Sequence, residues 1–163
     1  VIAPTLRPAT DADAEAVAVL FHEGWHDAHP GLVPDGLTER RTLDAFRQRV
    51  TARIAETDET TVAEVDGALA GFIMVAGDEA EQVYVGRPFR GTTVAGVLLA
   101  EAERQIAAAG HDVAFLVVVR GNQRAQSFYA RQGWVDEGDV DYPVEALGDH
   151  FVSPCRKLTK RVR

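Results

Sequence analysis

The chain has 163 residues, 46% of them apolar and 26% charged, and this length and balance fit one globular domain rather than a disordered segment. Its lone cysteine, Cys155, excludes an intrachain disulfide and any cysteine-based metal cluster. A formal net charge of −8 argues against nucleic acid as a partner and points instead to a cationic small molecule or a basic peptide.

In chain order, Thr5 to Pro8 reads as a short strand ended by proline, and Thr10 with Asp13 as an Asp variant of the capping box. Ala14, Val17, Ala18, Phe21 and Trp25 then follow at helical spacing. Pro30, Gly31, Pro34 and Gly36 break the chain, and a second, more polar helix is predicted from about Thr38 to Ala55. Strands are predicted over Thr60 to Val65 and Leu69 to Ala76, joined at Asp66-Gly67, a hairpin-turn signal. Another strand, Glu79 to Val85, leads into a loop containing Gly91. Val94, Val97, Leu98, Ala102 and Ile106 mark a helix from Thr93 to Ala109, closed by Gly110. Ala114 to Val119 is an almost wholly apolar strand, as the buried middle of a sheet requires. A helix over Asn122 to Arg131 and two weaker strands, Val135 to Val144 and Phe151 to Leu158, complete a mixed α/β order. No linker divides it, so one domain over 1–163 is expected. No apolar run approaches the ~18 residues of a membrane span and no signal pattern opens the chain, so no membrane partner and a cytoplasmic location are expected.

Two segments carry chemistry. Val83 to Gly96 is a strand that passes through a glycine loop into a helix start, where unpaired N–H groups and a partial positive charge make a phosphate site. Arg87, Arg90, Arg120, Arg124 and Arg131 lie in or beside it and the next motif, and as a set they lean towards an anion site. Val97, where a P-loop needs lysine, argues against a nucleotide triphosphatase, and the lack of a Gly-x-Gly-x-x-Gly after the first strand argues against a Rossmann site. In the second segment Asn122, Ala125 and Tyr129 fall within about 60° of one another on one helix face. There Asn122 caps the helix, Ala125 leaves room for a thin chain, and Tyr129 places a phenol one turn further on.

These motifs, in this order, resemble the GNAT superfamily of acyl-CoA-dependent N-acetyltransferases over nearly the whole chain. Arg90, Gly91, Thr92, Thr93, Val94 and Ala95 match its Arg/Gln-x-x-Gly-x-Gly/Ala loop, and Asn122, Ala125 and Tyr129 its Asn-x-x-Ala-x-x-x-Tyr, with Gly133-Trp134 for the usual Gly-Phe. Arg7-Pro8-Ala9-Thr10, Trp25 and Gly31-Leu32-Val33-Pro34 are similar to small bacterial members. The resemblance implies a mixed, mostly antiparallel sheet with helices on both faces and a splayed central pair of parallel strands. It also implies acetyl-CoA or CoA as cosubstrate, bound by Val83, Tyr84, Val85, Arg90, Gly91, Thr92, Thr93, Val94, Ala95, Gly96, Asn122, Arg124 and Tyr129. The chain departs from the pattern at Thr93, where the family carries its central loop glycine. A threonine forced into a left-handed conformation there would cost roughly 1–2 kcal/mol, partly offset if its hydroxyl reached a phosphate.

Acetyl transfer to an amine sets two proton problems. An alkylammonium is less than about 0.1% neutral at pH 7, so a base must take its proton, and the departing thiolate needs an acid. Tyr129 is the candidate acid; Glu79 and Glu81, expected on one strand face with Val83 and Val85, are the candidate bases, acting through water. His22, His26 and His29 stand at helical spacing, but no carboxylate or cysteine pattern completes a site and Pro30 disrupts the turn, so no metal is expected. The resemblance places Trp25, His26, His29 and Leu32 in the acceptor pocket. The expected acceptor is a cationic small-molecule or peptide amine, and a homodimer is compatible with this reading. A catalytically weak acyl-CoA-binding sensor or interaction module is the alternative function.

Overall fold

A computed structural model describes residues 3–163; Val1 and Ile2, the start of the expected domain, lie outside it. The elements are β1 (Thr5–Pro8), α1 (Ala14–Ala28), α2 (Asp35–Arg40), α3 (Leu43–Glu56), β2 (Thr60–Val65), β3 (Ala68–Ala76) and β4 (Glu79–Val85), followed by α4 (Val94–Ala108), β5 (Val113–Val119), α5 (Gln123–Arg131), β6 (Val135–Ala146) and β7 (Asp149–Arg161). The strands form one sheet in the order β1-β2-β3-β4-β5-β7-β6, antiparallel throughout except for β4 against β5. The fold is therefore the mixed, mostly antiparallel α/β architecture that the resemblance implies.

Alternation along β3 sorts the interior into two cores. Phe72 and Met74 pack with Phe21, Trp25, Phe46 and Val50 of α1 and α3 on one face. Ile73 and Val75 pack with Val94, Leu98, Leu99, Ala102 and Ile106 of α4 on the other. The β2–β3 hairpin turns at Asp66 (φ 51°) and Gly67 (φ 78°), both left-handed as a two-residue turn of this kind demands.

One expected helix is two. The backbone breaks at Arg41 (φ −83°, ψ 56°), and Thr42 then caps α3 by accepting a hydrogen bond from Ala45 N at 3.1 Å. The break matters because it turns Arg41 into the interior, where it is buried.

The central pair opens for a local reason. Met74 pairs with Gln82 while Val75 pairs with Ala80, so Glu81 is an extra residue in β4, a β-bulge. Beyond the single β4–β5 pairing, Glu79 with Phe115, the two strands part, whereas β5 pairs with β7 along its whole length. The bulge also corrects the expected strand face. Ala80, Val83 and Val85 pack towards α4, while Glu81 meets Arg49 and Arg53 of α3 on the opposite side.

Candidate active site

A cavity of about 210 Å³ fills the gap between the parted strands, walled by residues 80–84 of β4 and 116–119 of β5. Phe21 and Trp25 of α1, His29 just past its end, and Arg41 and Arg49 close one side. Asn122, Ala125 and Tyr129 of α5 close another, with Tyr142, Ser153 and Cys155 contributed by β6 and β7. Backbone groups of β4 that β5 does not pair face this gap, which suits it to an extended amide-bearing chain and to an acyl oxygen.

The second motif forms as its spacing requires. Asn122 Oδ1 accepts from Ala125 N at 3.2 Å and so caps α5, while Ala125 and Tyr129 follow on the cavity side. Burial pushes the Tyr129 phenol up to about 12, so it keeps its proton at neutral pH and is available there as a donor or acid. Arg124, on the same helix, is exposed and stands off the cavity.

The glycine loop fits a pyrophosphate. Gly91 sits at φ +76° with nothing within 4 Å of where a Cβ would stand, so the backbone there is open to close approach. Thr93 adopts φ −74°, ψ −10°, an ordinary right-handed conformation, so the departure from glycine costs no backbone strain. The first-turn N–H groups of α4 at Ala95 and Gly96 have no acceptor within the helix, whereas Val94 N lies 3.4 Å from Thr92 Oγ1. Arg90, at the head of the loop, is turned towards a carboxylate. Its Nη2 lies 2.9 Å from Asp27 and its Nε donates to the Val85 carbonyl at 3.2 Å. Arg87 is likewise on Asp27 (2.6 Å), and Arg120 on Asp139 and Asp141 (3.3 Å each). These guanidiniums neutralise carboxylates, and the two on Asp27 hold its pKa down to about 2.

The two glutamates are used differently. Glu81 lines the cavity, and its Oε1 meets Arg53 Nη1 at 3.0 Å and Arg49 Nη2 at 3.5 Å. Glu79 is buried behind the wall, and the Tyr142 hydroxyl donates to it. Burial raises the Glu79 carboxyl, Tyr142 partly opposes this, and the phenol of Tyr142 is raised in turn by burial and by the carboxylate.

Of the expected acceptor residues, Trp25 and His29 reach the cavity and His26 and Leu32 do not. The Trp25 and His29 rings stack at 4.5 Å and 3°. His29 Nδ1 donates to the Trp25 carbonyl at 2.9 Å, and burial lowers its pKa to about 4, so the imidazole is neutral. His26 Nε2 donates to the Arg41 carbonyl at 2.6 Å, and Leu32 packs against Gly121 in the turn after β5. Among the described residues no group of three His, Cys, Asp or Glu side chains forms a metal site. Nor is any described helix long and apolar enough to cross a membrane. Tyr142, Arg41, Arg49 and Cys155 are cavity residues that the sequence reading does not single out. Thr42 was the available signal for Arg41, because a capping residue inside a predicted helix marks a break.

The model of the acetyltransferase (GNAT) family matches residues 19–134, and the chain belongs to that family. No protein of curated function matches by sequence. Similar solved structures include a GCN5-related N-acetyltransferase from Rhodopseudomonas palustris (23% identity, 99% of this chain and 98% of that one, TM-score 0.77). The PaiA N-acetyltransferase of Thermoplasma acidophilum, in complex with coenzyme A, is another (20% identity, 98% and 99% covered, TM-score 0.65). YncA of Salmonella typhimurium, a putative acetyltransferase with acetyl-CoA, is a third (15% identity, 99% and 95% covered, TM-score 0.73). Family membership makes acetyl-CoA-dependent acetyl transfer the class of chemistry.

Proposed function

We propose that this chain is an N-acetyltransferase that acetylates a primary amine directly, with Glu81 as base through a bridging water and Tyr129 as acid. One observation carries the reading: Glu81 and Tyr129 open onto the same cavity, in the gap where the bulge parts β4 from β5. When bound, acetyl-CoA supplies an activated acyl carbon on a thiol leaving group. Its pyrophosphate would rest on the loop from Arg90 to Gly96, and its thin arm between β4 and α5, beside Val83, Tyr84, Val85, Asn122 and Ala125.

The chain's own residues handle the protons. Arg53 and Arg49 both meet Oε1 of Glu81, and the carboxylate receives, through a water on its Oε2 side, the proton that leaves the ammonium. Tyr129, protonated because it is buried, returns a proton to the departing sulfur as the new C–N bond replaces the C–S bond. Glu79 acts at one remove by fixing Tyr142 on the cavity wall. The test is thiol release from acetyl-CoA with a panel of amines, paired with Glu81→Gln. Turnover that Glu81→Gln lowers about 10²-fold, with a flattened rise against pH, is the expected result. Tight CoA binding with no amine acetylated would turn the reading to the sensor.

A further inference from the structure

Arg41 is the most anomalous side chain in the cavity. Only 9% of it is exposed, yet the described residues give it no ion pair, and its Nε has no hydrogen-bond partner. The neighbouring, more exposed arginines are matched: Arg53 meets Glu59 and Glu81 and donates to the Val75 carbonyl, Arg40 meets Asp149, and Arg49 meets Glu81 at 3.5 Å. A buried, unmatched guanidinium is unfavourable, because desolvation is not offset by an opposite charge. Burial, with Arg49 close by, lowers the Arg41 pKa to about 10, which still leaves it cationic at neutral pH.

The surroundings hold Arg41 in place rather than neutralise it. Its backbone is fixed by His26 Nε2 on its carbonyl and by its own N–H to Leu37 and Thr38. Its guanidinium carbon lies 5.9 Å from the Trp25 ring and 6.0 Å from the Phe46 ring. These rings orient the fork without using its in-plane donors. Arg49 is the second cation, packed 5.3 Å from the Phe21 ring. Both arginines line the inner cavity and also a second, outer cavity of about 370 Å³ that Arg40, Gln48, Glu145 and Leu147 border. They therefore stand between the outer opening and the gap between the strands. The negative groups facing them are few. Glu81 touches Arg49 at 3.5 Å, Glu145 borders the outer cavity, and Glu79 is taken by Tyr142.

From this arrangement we infer that the acceptor is an amine carrying a carboxylate, of the α-amino-acid type, with its carboxylate on Arg41 and Arg49 and its amine towards Glu81. The planar guanidinium presents paired donors that match a carboxylate, and a bound carboxylate supplies the anion that Arg41 lacks. An α-amino acid holds its ammonium close to its carboxylate, as an anion site beside a carboxylate base requires. This inference rests on the transferase reading above and departs from the cationic acceptor expected from net charge. The surface as a whole is acidic, but the wall that meets the acceptor is basic.

The test compares L-amino acids with their own amides and with the matching decarboxylated amines, following thiol release from acetyl-CoA. The amino acids should be favoured by at least about tenfold in kcat/KM, and Arg41→Gln should bring the ratio of acid to amide close to one. Arg41→Lys, which keeps charge but loses the fork, should restore only part of the preference. Because Arg41 is buried, Arg49→Gln serves as a second variant, and an acetyl-CoA-induced rise in Tm verifies that each variant is folded. Thermal shift by the same amino acids and amides on the CoA-bound protein reads binding without turnover. Amino-acid stabilisation that Arg41→Gln abolishes, with no acetylation, would uphold the anion site and sink the transferase reading. Amides, decarboxylated amines or diamines binding and reacting as well as the amino acids would overturn the inference while leaving the transferase intact.

Discussion

The Tyr142 hydroxyl lies 3.0 Å from both carboxylate oxygens of Glu79, a contact that joins β6 to the start of β4 over the two strands, β5 and β7, that lie between them in the sheet. Glu79 is also the last point at which β4 pairs with β5. One hydrogen bond thus sits at the root of the cleft, where the strands begin to part, and fixes a ring on the cavity wall.

That contact predicts a pH-dependent cost. Donation from Tyr142 favours the ionised form of Glu79, against burial, which favours the neutral one. Tyr142→Phe should cost about 1–3 kcal/mol at pH 8, where the buried carboxylate is left charged and short of a donor. The difference between wild type and variant should shrink as Glu79 protonates on acidification. Urea denaturation of both proteins at pH 8 and pH 4 gives the comparison, and an equal cost at both would exclude the ionised pair.

The strand Glu79–Val85, the Asp66-Gly67 turn and the Asn122 cap are all legible in the sequence, because each depends on local spacing or on a residue with a fixed conformational preference. The bulge at Glu81 is not. No glycine marks it, and the polar residues Glu79, Glu81 and Gln82 fit either face of a strand, so alternation alone puts Glu81 on the wrong side. The break at Arg41 is faintly marked, because no glycine or proline stands between Thr38 and Ala55 and Thr42 is its one local sign. Tyr142 and Cys155 reach the cavity only through the register of the β6–β7 hairpin, which no local pattern specifies.

The glycine loop gives a contrast between neighbours. Thr93 is right-handed, so Thr93→Gly relieves no strain; it should lower stability by about 0.5–1 kcal/mol through backbone entropy. CoA affinity should fall by no more than about 1 kcal/mol, the worth of one hydrogen bond to phosphate. Gly91→Ala must hold a Cβ at φ +76°, at a cost of roughly 1–2 kcal/mol to the loop. Acetyl-CoA should raise the Tm of the wild type by mass action and raise that of Gly91→Ala less. Calorimetric titration with CoA ranks the two variants; a larger loss from Thr93→Gly would show that its side chain, not the glycine, carries the phosphate.

Tyr129→Phe keeps the ring that packs near Phe128 and Trp134 but removes the proton. Turnover should fall by about 10²–10⁴ if proton delivery to sulfur limits it. CoA affinity should change little, since the packing is kept. Steady-state kinetics beside a CoA titration separates the two effects, and full turnover in the variant would remove Tyr129 from the acid role.

Gly24 in α1 is required by Tyr84. A Cβ at position 24 would lie 2.5 Å from Tyr84 Cδ1, and that ring is hemmed in by Phe21 at 5.0 Å and Phe72 at 5.7 Å. Gly24→Ala must therefore displace a ring that also lines the cavity. The expected cost is about 1–3 kcal/mol in stability, as for overpacked cores, together with reduced turnover. Restoring turnover with Gly24→Ala/Tyr84→Phe is not expected, because the clash is with the ring and not the hydroxyl.

His29 should make the protein acid-sensitive in a defined window. Its ordinary pKa of 6.5 is lowered to about 4 in the folded chain, first by burial and then by Arg41 and His26, against the hydrogen bond to Trp25. Between those values the unfolded chain binds a proton that the folded chain does not, so stability falls as pH drops from about 6.5 towards 4. The loss from this one group is on the order of 2–3 kcal/mol by the lower end. Asp13 and Asp27, both held at about 2, lose their stabilising pairs only at more acid pH. Glu79, raised by burial, acts in the opposite direction. His29→Asn can still offer an N–H to the Trp25 carbonyl but has no titrating ring. Its stability should therefore vary less than that of the wild type between pH 6.5 and 4, as measured by denaturant midpoints across that range. Parallel curves for the two proteins would show that the imidazole is not held neutral in the fold.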